Sequence, residues 1–193
     1  MPTVNNPDGT YADVNGEHRM LTQGVNSSLE HHVNHHEKQA YNLIFSQSPT
    51  AADDCIGYIK NSADDDMILE GVWIGFKNAT AVDAEVYFKK GPTGTRNTAT
   101  DITPANANAG ASEEAEGDFE KGADLDGGGV TLAGGVETDR FLFADIQNLT
   151  SKFFNFEQDI IIQKNKTFTF WATDAGATYY FTLIFNYHHQ EIG

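Results

Sequence analysis

One cysteine, Cys55, stands in 193 residues, so no intramolecular disulfide can form and the core must rest on packing or on association of copies. Basic residues are scarce. Twelve Lys and Arg face 28 Asp and Glu, a formal net charge of -16 at pH 7. Nucleic-acid binding needs cations to displace counterions from phosphates, so nucleic acid is not an expected partner. An anionic membrane surface is disfavoured for the same reason. No apolar stretch approaches the ~20 residues of a membrane helix. The opening residues, Met1 to Gly9, hold neither a basic region nor an apolar run, so no secretory signal is expected. Helical periodicity is missing too, with no heptads, no internal repeat and room for at most one short helix. The expectation is a soluble, acidic, all-β protein.

What the chain does have is strand text. Its last third runs from Lys152 to Trp171 and from Tyr179 to Tyr187 through β-branched and aromatic residues with short polar breaks. Such residues favour a pleated, at least half-buried surface. Earlier candidates are Ala40 to Phe45, Cys55 to Ile59, Met67 to Lys77, Val82 to Phe88 and Arg140 to Ile146. Val82 to Phe88 alternates apolar and acidic residues, with Val82, Ala84, Val86 and Phe88 on the apolar side, which predicts one buried and one wet face. Between Met67 and Lys77, Leu69, Gly71, Trp73 and Gly75 are expected to share a face. Seven or eight strands with Gly, Pro and Asn breaks predict a β-sandwich of jelly-roll type.

Two stretches depart from this pattern. Residues 1–28 are polar, carry Pro2, Pro7, Gly9, Gly16 and Gly24, and read as an extended N-terminal arm. The remaining residues, 29–193, form the expected sandwich domain. Residues 93–135 interrupt it with Gly, Ala, Thr, Asn and acids, and only Ile102, Phe119, Leu125, Val130 and Leu132 as sizeable apolar side chains. A gap of this length reads as a functional excursion or a hydrated flap.

Chemistry-bearing motifs are few. His31, His32, His35 and His36 lie between Glu30 and Glu37. In a helix, His31/His35 and His32/His36 would stack at i, i+4; in a strand, His31, Val33 and His35 would share a face. Either arrangement converges imidazoles and makes these four residues candidate metal ligands, although no His-Glu-x-x-His is present. The plainer reading is a polar strand or a subunit contact. Asp124 to Gly129 (Asp-Leu-Asp-Gly-Gly-Gly) resembles the start of a calcium loop, but Gly135 occupies the twelfth position, where a carboxylate is needed. No Gly-x-Ser-x-Gly elbow occurs and Cys55 has no catalytic signature. No catalytic residue, no cofactor and no enzymatic activity are expected.

Three segments carry a family resemblance: Glu30 to Glu37 leading into an aromatic strand; Tyr87 to Thr93 (Tyr-Phe-Lys-Lys-Gly-Pro-Thr) with Asp101 to Asn106; and Ile160 to Phe170 with the closing Phe185 to His188. In this order they resemble a family of small virion proteins of tailed bacteriophages, over roughly residues 30–190. Lys38-Gln39 stand where those proteins have glycine, and Lys89-Lys90 where they have an acid. The resemblance implies a capsid decoration (cement) protein on the virion exterior, made in the host cytoplasm. Its partners would be the major capsid protein and its own copies, as a homotrimer. His31, His35, Tyr41 and Phe45 are the expected interface residues. A tail, neck or fibre component with a receptor- or glycan-binding role is the alternative.

Overall fold

The computed structural model describes residues 4–5, 11–14, 20–21, 39–78, 82–146 and 150–188. Within the segment read as an arm, β1 (Val4–Asn5), β2 (Tyr11–Val14) and β3 (Met20–Leu21) pair as a small antiparallel meander. The rest is a β-sandwich, with no helix among the described residues.

Eight long strands build it: β4 (Ala40–Gln47), β5 (Asp54–Asn61), β6 (Asp66–Lys77), β7 (Val82–Lys90), β11 (Val136–Ile146), β12 (Thr150–Ile162), β13 (Thr167–Ala172) and β14 (Thr178–His188). Between β7 and β11 lie the short β8 (Thr100–Asp101), β9 (Ala105–Asn106) and β10 (Gly117–Lys121). The first sheet runs β11-β7-β13-β5-β10-β8 and the second β12-β6-β14-β4-β9, antiparallel throughout. Among the eight long strands every connection passes to the opposite sheet except β7 to β11, which pair with each other.

The two inner faces meet in a core rich in phenylalanine. Tyr41, Leu43 and Phe45 of β4 point inward, as their alternation with Asn42, Ile44 and Ser46 requires. Phe170 sits among Phe45, Phe88, Phe168 and Phe181 with ring centroids 5.2–5.4 Å away, each pair edge to face. Ala84, Val86 and Phe88 are buried as the alternation predicts. Tyr87, on the other face of the same strand, is buried as well, so that face is not simply wet.

Strands β5 and β13 are covered on both sides. This accounts for the run Cys55 to Ile59 in β5 and for the full burial of β13, threonines included. The cover over the outer face of the first sheet comes from the excursion. Instead of standing off as a hydrated flap, residues 93–135 add β9 to one sheet, β8 and β10 to the other, and bury Leu125 and Leu132 against Cys55, Tyr58, Tyr87 and Trp171. Two large aliphatic side chains suffice because the backbone joins in: Leu125 donates to Cys55 O at 2.9 Å, Asn97 to Leu125 O at 2.9 Å, and Leu132 to Thr95 O at 3.0 Å.

Candidate functional site

The outer face of the second sheet has no such cover from the excursion. A bulge at Glu70 sets its orientation, because Phe185 pairs with Leu69 while Ile184 pairs with Gly71. Leu69 therefore turns into the core with Met67, while Gly71, Trp73 and Gly75 face outward. Leu69 and Trp73 do not share a face, contrary to the strict alternation. A second irregularity, between Asn155 and Ile160 with Glu157 at φ 51°, leaves β12 in phase, since Phe156 before it and Ile160 and Ile162 after it all face the core.

Three complete cross-strand rows cover this face from β12 to β4. They are Ser151, Gly75, Tyr180, Ser46; then Phe153, Trp73, Thr182, Ile44; then Asn155, Gly71, Ile184, Asn42. None of the twelve is charged, in a chain of net charge -16. Charge flanks these rows, with Lys77 beside Thr178 at one end, Asp66 beside His188 at the other, and Glu70 next to the Gly71 row, its carboxylate accepting from Asn186 Nδ2. Trp73 is 46% exposed and Ile44 63% exposed, with Phe153 and Tyr180 also open to solvent. The Trp73 and Phe153 rings lie 5.2 Å apart. An exposed apolar cluster of this kind marks a contact surface more often than a scattering of single residues does.

The first sheet's outer face is instead polar and fastened. Arg96 donates Nε and Nη2 to the two oxygens of Glu120, each at 2.5 Å, with its guanidinium 4.2 Å from the Tyr58 ring centroid. Lys89 lies 3.6 Å over the Trp171 ring, which stacks on Tyr87. Tyr87 donates its hydroxyl to Asp53 at 3.2 Å. Cys55 is fully buried here; burial first, then the Asp126 charge, pushes its thiol well up. Both effects disfavour the thiolate form.

Asp54, Asp124 and Asp126 bring carboxylate oxygens within 4.8 Å of one another where the excursion meets β5. Much of their bonding is already structural. Asp54 Oδ2 accepts from Thr50 N and Thr50 Oγ1, each at 2.8 Å, and from Ala51 N at 2.6 Å; Asp126 Oδ1 accepts from Cys55 N at 2.7 Å. Burial, then the charges of Asp54 and Asp126, raises the Asp124 pKa, opposed by a backbone hydrogen bond from Gly127. A β-carbon at Gly127 would fall 1.8 Å from the Asp124 carboxylate, and Gly128 and Gly129 hold φ of 64° and 80°. The glycine run thus serves a tight turn around the buried Leu125. Asp54 joins the group from 70 residues away. A reading along the loop from Asp124 could not find it.

Of the sequence candidates, His31, His32, His35 and His36 lie outside the described residues. Tyr41 and Phe45 are interior: Tyr41 stacks on Phe185 at 5.4 Å and Phe45 on Phe181 at 4.8 Å. Their neighbours Asn42 and Ile44 are the side chains that β4 presents on the outer face of the sheet. Burial raises the pKa of Tyr41, with the Glu113 charge second. Of the other aromatics, Tyr58, Trp171, Tyr179 and Tyr187 are buried and Trp73 is not. No protein-family model, no curated protein and no solved structure matches the chain.

Proposed function

We propose that the protein is a structural component of a tailed-bacteriophage virion: a capsid decoration protein that binds the major capsid lattice as a homotrimer and stabilises the head. The observation that carries this reading is the strand order. One sheet contains β12-β6-β14-β4 and the other β11-β7-β13-β5, with successive long strands crossing between them. That order supports a jelly roll, two Greek keys wound through two four-stranded layers, an architecture that recurs among capsid proteins. The motif resemblance over residues 30–190 adds the virion setting, since fold alone does not carry function.

A cement protein acts by adding buried interface where shell subunits would otherwise part. Many copies share the load, so modest affinity per copy suffices. A net charge of -16 keeps free trimers soluble before docking. Residues 1–28 act as the arm that reaches over a capsid subunit or a neighbouring copy, with His31, His32, His35 and His36 at its root. No substrate is turned over and no cofactor is needed.

The second reading, a tail, neck or fibre component binding a receptor or glycan, is favoured by one observation, the exposed Trp73 ring on an open sheet face. Gold-labelled antibodies raised against the purified protein separate the two. Label over the heads of intact virions is expected. Label at the tail tip would establish the second reading, and unlabelled virions would contradict both.

A further inference from the structure

We infer that the outer face of the second sheet is where a second copy of this chain seats. Such a contact rests on the assembly reading above but is separate from the three-fold interface of the homotrimer; it forms between free copies and is tested without a capsid.

The two outer faces of the sandwich differ in kind. The chain covers its first sheet with its own excursion and leaves Trp73, Phe153, Ile44 and Tyr180 open on the second. Charge selects the partner. Each copy carries -16, so two copies approach with least repulsion where neither presents a carboxylate. The three rows through Gly75, Trp73 and Gly71 meet that condition, whereas the outer face of the first sheet carries Glu85, Lys89, Asp118 and Glu120. A basic partner would be drawn to the acidic surfaces instead.

Shape agrees with self-recognition. The ridge of Phe153 and Trp73 lies directly beside the low pair Ser151 and Gly75 in the next row. When two such faces meet about a two-fold axis, ridge falls on trough in both directions. At the β12 edge, strand addition is disfavoured where Glu157 takes a left-handed conformation and the strand is irregular.

Area sets the strength. Three rows two residues apart on four strands about 4.8 Å apart span roughly 20 by 20 Å, so two faces together remove about 800 Å². A stable pair buries about 1,200–2,000 Å². The contact is therefore weak and concentration-dependent, and closes firmly only when further contacts add to it.

Sedimentation velocity of the full chain, from ~10 to ~500 µM, reads this directly. The weight-average sedimentation coefficient is expected to rise with concentration, while Trp73 emission moves to shorter wavelength. Trp73→Lys and Ile44→Lys are each expected to weaken association at least tenfold. Leu142→Lys, at an equally open position on β11 (64% exposed), should sediment like the wild type. Far-ultraviolet circular dichroism checks that each variant is folded; Ile44 is open enough for lysine to leave the core intact. A wild type that stays monomeric at every concentration overturns the inference. So does an oligomer that persists in folded Trp73→Lys and Ile44→Lys, an outcome that would leave the homotrimer and the capsid reading standing.

Discussion

Leu125 donates its backbone amide to the Cys55 carbonyl at 2.9 Å while its side chain is fully buried beside Cys55. One residue thus pins the excursion to the outside of the sandwich. Leu125→Ala should cost about 2–5 kcal/mol if the whole domain responds. Limited proteolysis is the sharper measurement: cleavage between residues 93 and 135 should speed up before the sandwich itself is cut. Cleavage no faster than in the wild type would mean that the hydrogen bonds alone hold the segment.

Phe170 and Gly57 test the core from opposite directions. Removing the Phe170 ring from its four aromatic neighbours should cost about 3–5 kcal/mol in chemical denaturation. Adding a methyl at Gly57 should also destabilise, by about 1–3 kcal/mol, since its β-carbon would meet the Phe45 ring at 2.8 Å and the Phe170 ring at 2.9 Å. A neutral Gly57→Ala would show that the two rings can move apart.

The fork between Arg96 and Glu120 relies on planar geometry as well as charge, because the same guanidinium covers Tyr58. Arg96→Lys keeps the charge and loses both features. A loss of about 1 kcal/mol is expected, or about 2–4 °C in Tm for a chain of this size. A Tm equal to that of the wild type would reduce the pair to an exposed ion pair.

Acid should relieve the Asp54, Asp124 and Asp126 cluster. Burial and the two neighbouring carboxylates raise the Asp124 pKa in the folded chain. The folded state therefore holds this proton more tightly than the unfolded state. Its contribution to stability is full below the ordinary carboxylate range and is lost as pH rises through the folded pKa. Asp124→Asn should accordingly raise Tm at pH 7, with the gap to the wild type closing by pH 4. A gap that stays constant with pH would contradict this assignment.

Much of the sandwich was legible in the sequence because its strands carry their own signal. The β-branched and aromatic runs covered all eight long strands, with β12 and β13 inside the single run from Lys152 to Trp171, but Tyr41 and Phe45, expected at an interface, are core. The bulges were not legible. Nothing local to Glu70 announces a skipped pair, yet that one residue decides that Leu69 is core and Trp73 is surface. The excursion misled for a related reason: isolated leucines among glycines and acids look solvated until the outer face of a sheet is there to receive them. The carboxylate cluster depends on Asp54 meeting Asp124 and Asp126 across the fold, a proximity that spacing along the chain does not encode.

Reconstitution tests the cement role most directly. The purified 193-residue protein is mixed with undecorated heads of the phage proposed as its source and imaged by electron cryomicroscopy. The expected result is added density at local three-fold positions on the shell, lost or much weakened when residues 1–28 are deleted from a chain that still folds. Heads that remain bare at saturating protein would contradict the role itself. Equal decoration by the truncated chain would contradict the part assigned to the arm.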